Sequence, residues 1–173
     1  MKDLDRKAKF QELKSAFEGG VLGEQRKGQR TGRSLRRVAM DFLARREHSA
    51  QELGRKLKAR SDEMDDVEAV LQQLQQEGLQ SDERFTEAYV HHRVNAGVGP
   101  LKIRYELRQK GIDDTLADTC LEPLDGEWDA MMRAQRERKY GSAIPADYGA
   151  RMKQARFLQN RGFSPESVMR LFR

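Results

Sequence analysis

The chain has very little with which to do covalent chemistry. There is one cysteine, Cys120, in 173 residues. An internal disulfide is therefore excluded, and a reducing, cytoplasmic setting is expected. Three histidines are present. His91 and His92 are adjacent, so on a helix they diverge by about 100° and cannot share a metal; one is expected to pack and the other to face solvent. His48 is expected in a turn before Ser49. No apolar run approaches the ~18 residues of a membrane span, and no charged-then-apolar leader opens the chain. Aromatics make up 7%, and most lie on apolar helix faces, so platforms for single-stranded bases are not evident. Sustained strand alternation is absent. Proline occurs four times, at Pro100, Pro123, Pro145 and Pro165, each at a boundary between helical patterns.

What remains is charge and helical periodicity. Charged residues are 35% and apolar residues 37%, a thin core with much solvated surface. The net charge of +5 is unevenly spread. Residues 1–33 hold nine basic against five acidic residues, 34–80 eight against nine, 81–124 six against eight, and 125–173 ten against six. The basic excess lies at the two ends, which suits an acidic protein surface or nucleic acid.

Residues 1–33 read as a flexible basic arm, with Leu4, Phe10, Leu13 and Phe17 as one weak helical stripe and Gly19, Gly20, Gly23, Gly28 and Gly32 breaking any regular pattern up to Ser34. The run from Gly23 to Gly28 has the glycine spacing of a phosphate loop. Gln29 and Arg30 stand next where Lys and Ser/Thr are needed, and no strand precedes it, so nucleotide binding is excluded.

From Ser34 onward, nine helices are expected in three sets. In 34–80, Leu35, Val38, Ala39, Phe42 and Leu43 line the first. A capping box of Ser49 and Glu52 opens the second, with Leu53 and Leu57 on its face. Ser61-Asp62-Glu63 opens a third carrying Met64, Val67, Val70, Leu71 and Leu74, closed by Gly78. In 81–124, Ser81 or Asp82 caps a helix with Phe85, Ala88, Tyr89 and His92 on one face. Pro100 starts the next, which carries Leu101, Ile103, Tyr105 and Leu107 and ends at Gly111. Asp113 or Asp114 caps the third. In 125–173, Trp128, Met131 and Met132 line the first helix. Met152, Ala155, Phe157 and Leu158 line the second, which starts near Asp147 and ends at Gly162. Ser164-Pro165-Glu166 opens the last, with Val168, Leu171 and Phe172.

The sets repeat. Tyr105–Asp113 and Arg156–Ser164 both run from an apolar helix through a basic residue, Gly and an apolar residue to a cap. A period near 50 residues predicts an all-α fold, an elongated, curved array of three tandem three-helix units: 34–80, 81–124 and 125–173.

No catalytic constellation is visible, and an enzyme is not expected. Cys120 shares a helix face with Leu116 and has no activating partner. The acids Asp62, Glu63, Asp65, Asp66 and Glu68 lack a calcium-loop pattern and suit the positive end of a helix dipole. No cofactor is expected. Basic stripes are the candidate functional feature: Arg104, Arg108 and Lys110 on one helix; Arg133, Arg136, Arg138 and Lys139 on a second; Arg151, Lys153, Arg156 and Arg161 on a third. Such stripes contact phosphates or carboxylates, or are simply solvated.

Four segments, HSAQELGRKL (48–57), GLQSDERFTEAYVHHRV (78–94), GVGPLKIRYELRQKGI (97–112) and ARFLQNRGFSPESV (155–168), in this order and spacing, resemble the RecX family of recombination regulators. The likeness covers 34–173. It implies a bacterial cytoplasmic protein of three tandem three-helix units; a monomer is expected. It implies a modulator, usually an inhibitor, of the RecA recombinase, seated in the groove of the RecA–DNA filament and suppressing ATP hydrolysis, strand exchange and co-protease activity in recombination, DNA repair and the SOS response. The resemblance carries over no catalytic residue or cofactor. Two other readings stay open: a stand-alone helical DNA-binding module, whose DNA affinity would fall steeply with salt, and a structural adaptor for another protein.

Overall fold

A computed structural model describes residues 34–61 and 66–173. The arm 1–33, the start of the expected third helix and the acids at 62, 63 and 65 lie outside the described residues. Within them the fold is all-α, in tandem three-helix units: α1 (Leu35–Leu43), α2 (Ala50–Lys58) and α3 (Val67–Gln76); α4 (Asp82–Asn95), α5 (Pro100–Gln109) and α6 (Asp114–Leu121), followed by a 3-10 turn at Glu122–Leu124; then α7 (Trp128–Tyr140), α8 (Tyr148–Asn160) and α9 (Pro165–Leu171).

The helices begin where short polar side chains satisfy free backbone N–H groups. Ser34, Ser49, Ser81, Asp147 and Ser164 each accept from the residue three places on. Asp113 accepts from Thr115. The described part of the third helix is capped by Asp66, accepting from the Ala69 N–H. The expected capping box at Ser49 is half made. Its hydroxyl oxygen accepts from Glu52 N–H at 3.1 Å, but the Glu52 carboxylate turns to Arg46, at 2.6 Å. Helix ends are marked by the same device in units 2 and 3. Ile112 N–H bonds Leu107 O at 3.1 Å and Phe163 N–H bonds Leu158 O at 3.2 Å, each closing a turn whose glycine, Gly111 or Gly162, has positive φ.

Two stripes differ from the sequence expectation. On α4 the buried residues are Phe85, Thr86 and Val90, while His92 and Ala88 are exposed. Thr86 tolerates burial because its hydroxyl donates to the Asp82 carbonyl at 2.7 Å. Both His91 and His92 face solvent, so neither packs. On α5 only Ile103 and Leu107, four apart, are buried; Leu101 is 46% and Tyr105 61% exposed. A helix cannot bury residues at spacings of two along one face.

The units are not joined alike. Apolar side chains of units 2 and 3, from Phe85 through Trp128 to Phe172, form one continuous core. Across that seam the backbones touch: Gly99 N–H bonds Arg161 O at 2.8 Å and Leu101 N–H bonds Gly162 O at 3.1 Å. Unit 1 instead has its own core, built around Leu53, Leu57 and Leu74. Its seam with unit 2 carries polar contacts. Ser49 Oγ donates to Lys110 O at 2.7 Å, Ala50 N–H to Asp82 Oδ1 at 2.8 Å, and Arg84 Nε to Glu47 Oε1 at 3.0 Å; at the edge of unit 1, Gln80 Nε2 donates to His48 O at 3.1 Å.

Beside this seam His48 is 2% exposed, its Nδ1 3.4 Å from Glu52 Oε2. Burial, then the charge of Arg46, pushes the imidazole below its usual 6.5 and outweighs the pull of Glu52. Burial disfavours the Glu52 charge, but hydrogen bonding and charge from Arg46, with His48 and Lys110 adding, hold its carboxyl down from 4.5 to about 2. Both groups release protons on folding, so stability falls with acid. The His48 contribution is present above pH 6.5 and fades below it; the Glu52 contribution is present above 4.5 and is lost toward about 2. The expected thermal midpoint is level above neutrality, declines through mildly acidic pH and drops steeply below 4.5. Glu52→Gln flattens the steep limb, as read by melting curves across the range.

Candidate docking face

The eleven basic residues of the three expected stripes have unequal surroundings. On α5, Arg104 pairs with Asp118 at 2.6 Å and Arg108 with Asp114 at 2.8 Å, so both charges are met within the molecule. Lys110 is half-buried, its Nζ 5.2 Å from the Tyr89 ring centre. Its carbonyl receives the Ser49 hydroxyl. Neither arginine is left as a free cation, although Lys102, outside the expected stripe, is exposed on the same helix.

Arg136 corrects the reading of α7. It is 2% exposed and belongs to the core. Trp128, Met132 and Arg136 follow one another at four-residue steps and are the buried residues of the helix. The guanidinium folds over the end of its own helix. Nη2 donates to Gly141 O at 3.0 Å and Ser142 O at 2.6 Å, and Nη1 to Ala143 O at 3.1 Å and Gln154 Oε1 at 3.3 Å. Carbonyls at a helix C-terminus favour a cation, and a planar fork of five donors can satisfy several at once. The four-residue spacing from Trp128 was a signal for burial; its charge pointed the other way.

Two members of the α8 stripe also hold structure together. Arg151 is half-buried, with Nε donating to Pro145 O at 2.7 Å. Arg161 donates from Nη1 to Ala96 O at 2.9 Å, across the seam between units 2 and 3, and lies 5.5 Å from the Phe157 ring centre.

Five cations are left exposed with no ion pair to another described residue: Arg133, Arg138, Lys139, Lys153 and Arg156. Three of them converge. Lys139 from the end of α7, with Lys153 and Arg156 from α8, lines an open groove with Met152, Phe157 and Asn160, and no carboxylate of a described residue lines it. Phe157 forms part of its wall. The ring packs edge-on against Tyr140, centres 5.6 Å apart, and the Lys139 ammonium sits 3.8 Å from its centre. That contact holds a long, mobile side chain in place without neutralising it. At the head of α8, Tyr148 is 74% exposed. The groove presents concentrated positive charge beside partly apolar surface, and chemically it can hold carboxylates or phosphates. The mixed pocket bounded by Arg104, Asp114, Asp118, Glu122 and Asp125 has the opposite character. Among the described residues no group of His, Cys, Asp and Glu is placed to hold a metal. No described helix is long and apolar enough to cross a membrane.

Comparison with known proteins decides the family. Sequence models of the second and third three-helix domains of RecX match residues 81–121 and 127–172. The chain belongs to the RecX family. It is similar to the regulatory protein RecX of Halorhodospira halophila, 44% identical over 78% of this chain and 84% of that protein. It is also similar to that of Pseudomonas fluorescens, 42% identical over 80% and 89%. Two solved RecX structures share the fold. One, from Lactobacillus salivarius, has a TM-score of 0.65 at 22% identity, covering 80% of this chain and 94% of the other. The second scores 0.67 at 25% identity, covering 80% and 70%. These RecX relatives are named as regulatory proteins.

Proposed function

We propose that this protein regulates the RecA recombinase, binding the RecA–DNA filament and restraining its ATP hydrolysis, strand exchange and co-protease activity, and that it does so as a cytoplasmic, non-catalytic monomer. Family membership supports the class of partner. The observation that carries the contact is the α7–α8 face, where Lys139, Lys153 and Arg156 converge without a carboxylate among the described residues lining the groove. A partner surface rich in carboxylates or phosphates fits this face and gains from displacing ordered counter-ions. Holding adjacent filament subunits in one arrangement would slow a turnover cycle that needs them to move.

The test is RecA's single-stranded-DNA-dependent ATPase with this protein titrated at substoichiometric ratios and an excess-DNA control. Inhibition that survives spare DNA supports the reading. Absence of inhibition sinks it, and relief by spare DNA points to the stand-alone DNA-binding module. The contact is tested separately. Lys153→Glu with Arg156→Glu is expected to raise the half-inhibitory concentration about tenfold, ~1.4 kcal/mol, with an unchanged melting temperature. Unchanged inhibition by that folded double variant removes the groove from the contact. Arg136 has no place in such a variant, because reversing its charge attacks the core.

A further inference from the structure

The two seams differ in what must be broken to open them. Separating units 2 and 3 splits one apolar core and the glycine-to-glycine backbone contact, and newly exposed apolar surface costs ~25 cal/mol per Å². Separating unit 1 leaves both cores whole. What it breaks is hydrogen bonds, among them the Arg84–Glu47 ion pair, and the packing of Gln51 against Gly111; water replaces neutral bonds at a net ~0.5–1.5 kcal/mol each and bonds to charged groups at ~1.5–3 kcal/mol. One atom is central to that seam: Asp82 Oδ1 accepts both from Ala50 N–H of unit 1, at 2.8 Å, and from Gln80 Nε2, at 2.8 Å. Gln80 in turn donates to the His48 carbonyl, so Asp82 ties the start of α2 to the connection between α3 and α4.

We propose that this seam is a latch: unit 1 undocks as a folded body from the fixed block of units 2 and 3, turning about the connection after α3, and Asp82 holds it closed. Opening of this kind lies in the range of sub-global motions, well below whole-molecule unfolding. It lets unit 1 follow a partner surface whose position relative to the α7–α8 groove varies. The proposal does not depend on which partner that groove binds.

The test uses the full chain in a Cys120→Ser background with two pairs of spin labels. One pair, Gln72→Cys with Gln109→Cys, spans the latched seam. The other, Gln109→Cys with Gln159→Cys, lies within the block. All three glutamines are exposed. Asp82→Ala is expected to broaden the first distance distribution and add a longer population, leaving the second unchanged. Ser81, the α4 cap, is retained, so helix content holds. A first distribution unaltered by Asp82→Ala, or both broadening together, overturns the latch. The unsubstituted Asp82 protein gives an independent reading. Urea is expected to lengthen the first distance at concentrations below the loss of helical circular dichroism; a lengthening that coincides with that loss also overturns it.

Discussion

Gly162→Ala is expected to destabilise the protein by about 2–5 kcal/mol, the sum of a left-handed backbone penalty of ~1–2 kcal/mol and overpacking of ~1–3 kcal/mol. Gly162 has φ +94°, and a Cβ built there lies 2.3 Å from Lys102 Cβ and 2.7 Å from Lys102 N. The obstacle includes backbone, at the start of α5, so no rotamer change relieves it. The opposite partner is equally tight: a Cβ on Gly99 would lie 2.5 Å from the Gly162 carbonyl carbon. Gly78→Ala separates the two contributions. Gly78 has φ +68° with nothing within 4 Å of the added Cβ, so only the conformational ~1–2 kcal/mol is expected. Urea midpoints of both variants measure the difference. Equal losses would show that the seam between units 2 and 3 yields to an added methyl.

Arg136→Met is expected to cost about 3 kcal/mol, a loss in the range seen when a buried polar network is broken. The apolar stem is replaced, but Gln154 Oε1 and the carbonyls of Gly141, Ser142 and Ala143 lose their donors. Part of this is recovered, because Gly141, Ser142 and Ala143 are exposed residues that water can reach. Arg136→Lys is expected to rescue little, since a single ammonium cannot span those oxygens as a planar fork does. The control is Arg133→Met on the same helix, where an exposed side chain with no ion pair to another described residue is expected to change stability by under about 0.5 kcal/mol. A Cm shift at Arg136 as small as at Arg133 would mean that the connection after α7 holds its shape unaided.

Much of the fold was legible because its signals are local. Ser34, Ser49, Ser81, Asp147 and Ser164 satisfy the N–H groups that the chain presents at those points, and Gly111 and Gly162 end helices in a conformation other residues resist. The repeated wording around those glycines also marked the two turns as equivalent. The candidate face was legible only in part. Lys139, Lys153 and Arg156 stood in the expected stripes and do converge. Arg104 and Arg108 stood there too, but are met by Asp118 and Asp114 from α6.

The sequence by itself therefore determined the all-α class, the order of the elements and most of the residues that start and stop them, because caps, prolines and positive-φ glycines act within a few residues. Tertiary structure alone decided which cations remain free, that Arg136 is core, that the second and third units share one hydrophobic interior, and that the first is held by polar contacts. Those outcomes depend on which oxygen atoms and apolar faces distant segments bring together. Helical periodicity assigns a side chain to a face but carries no information about what that face will meet.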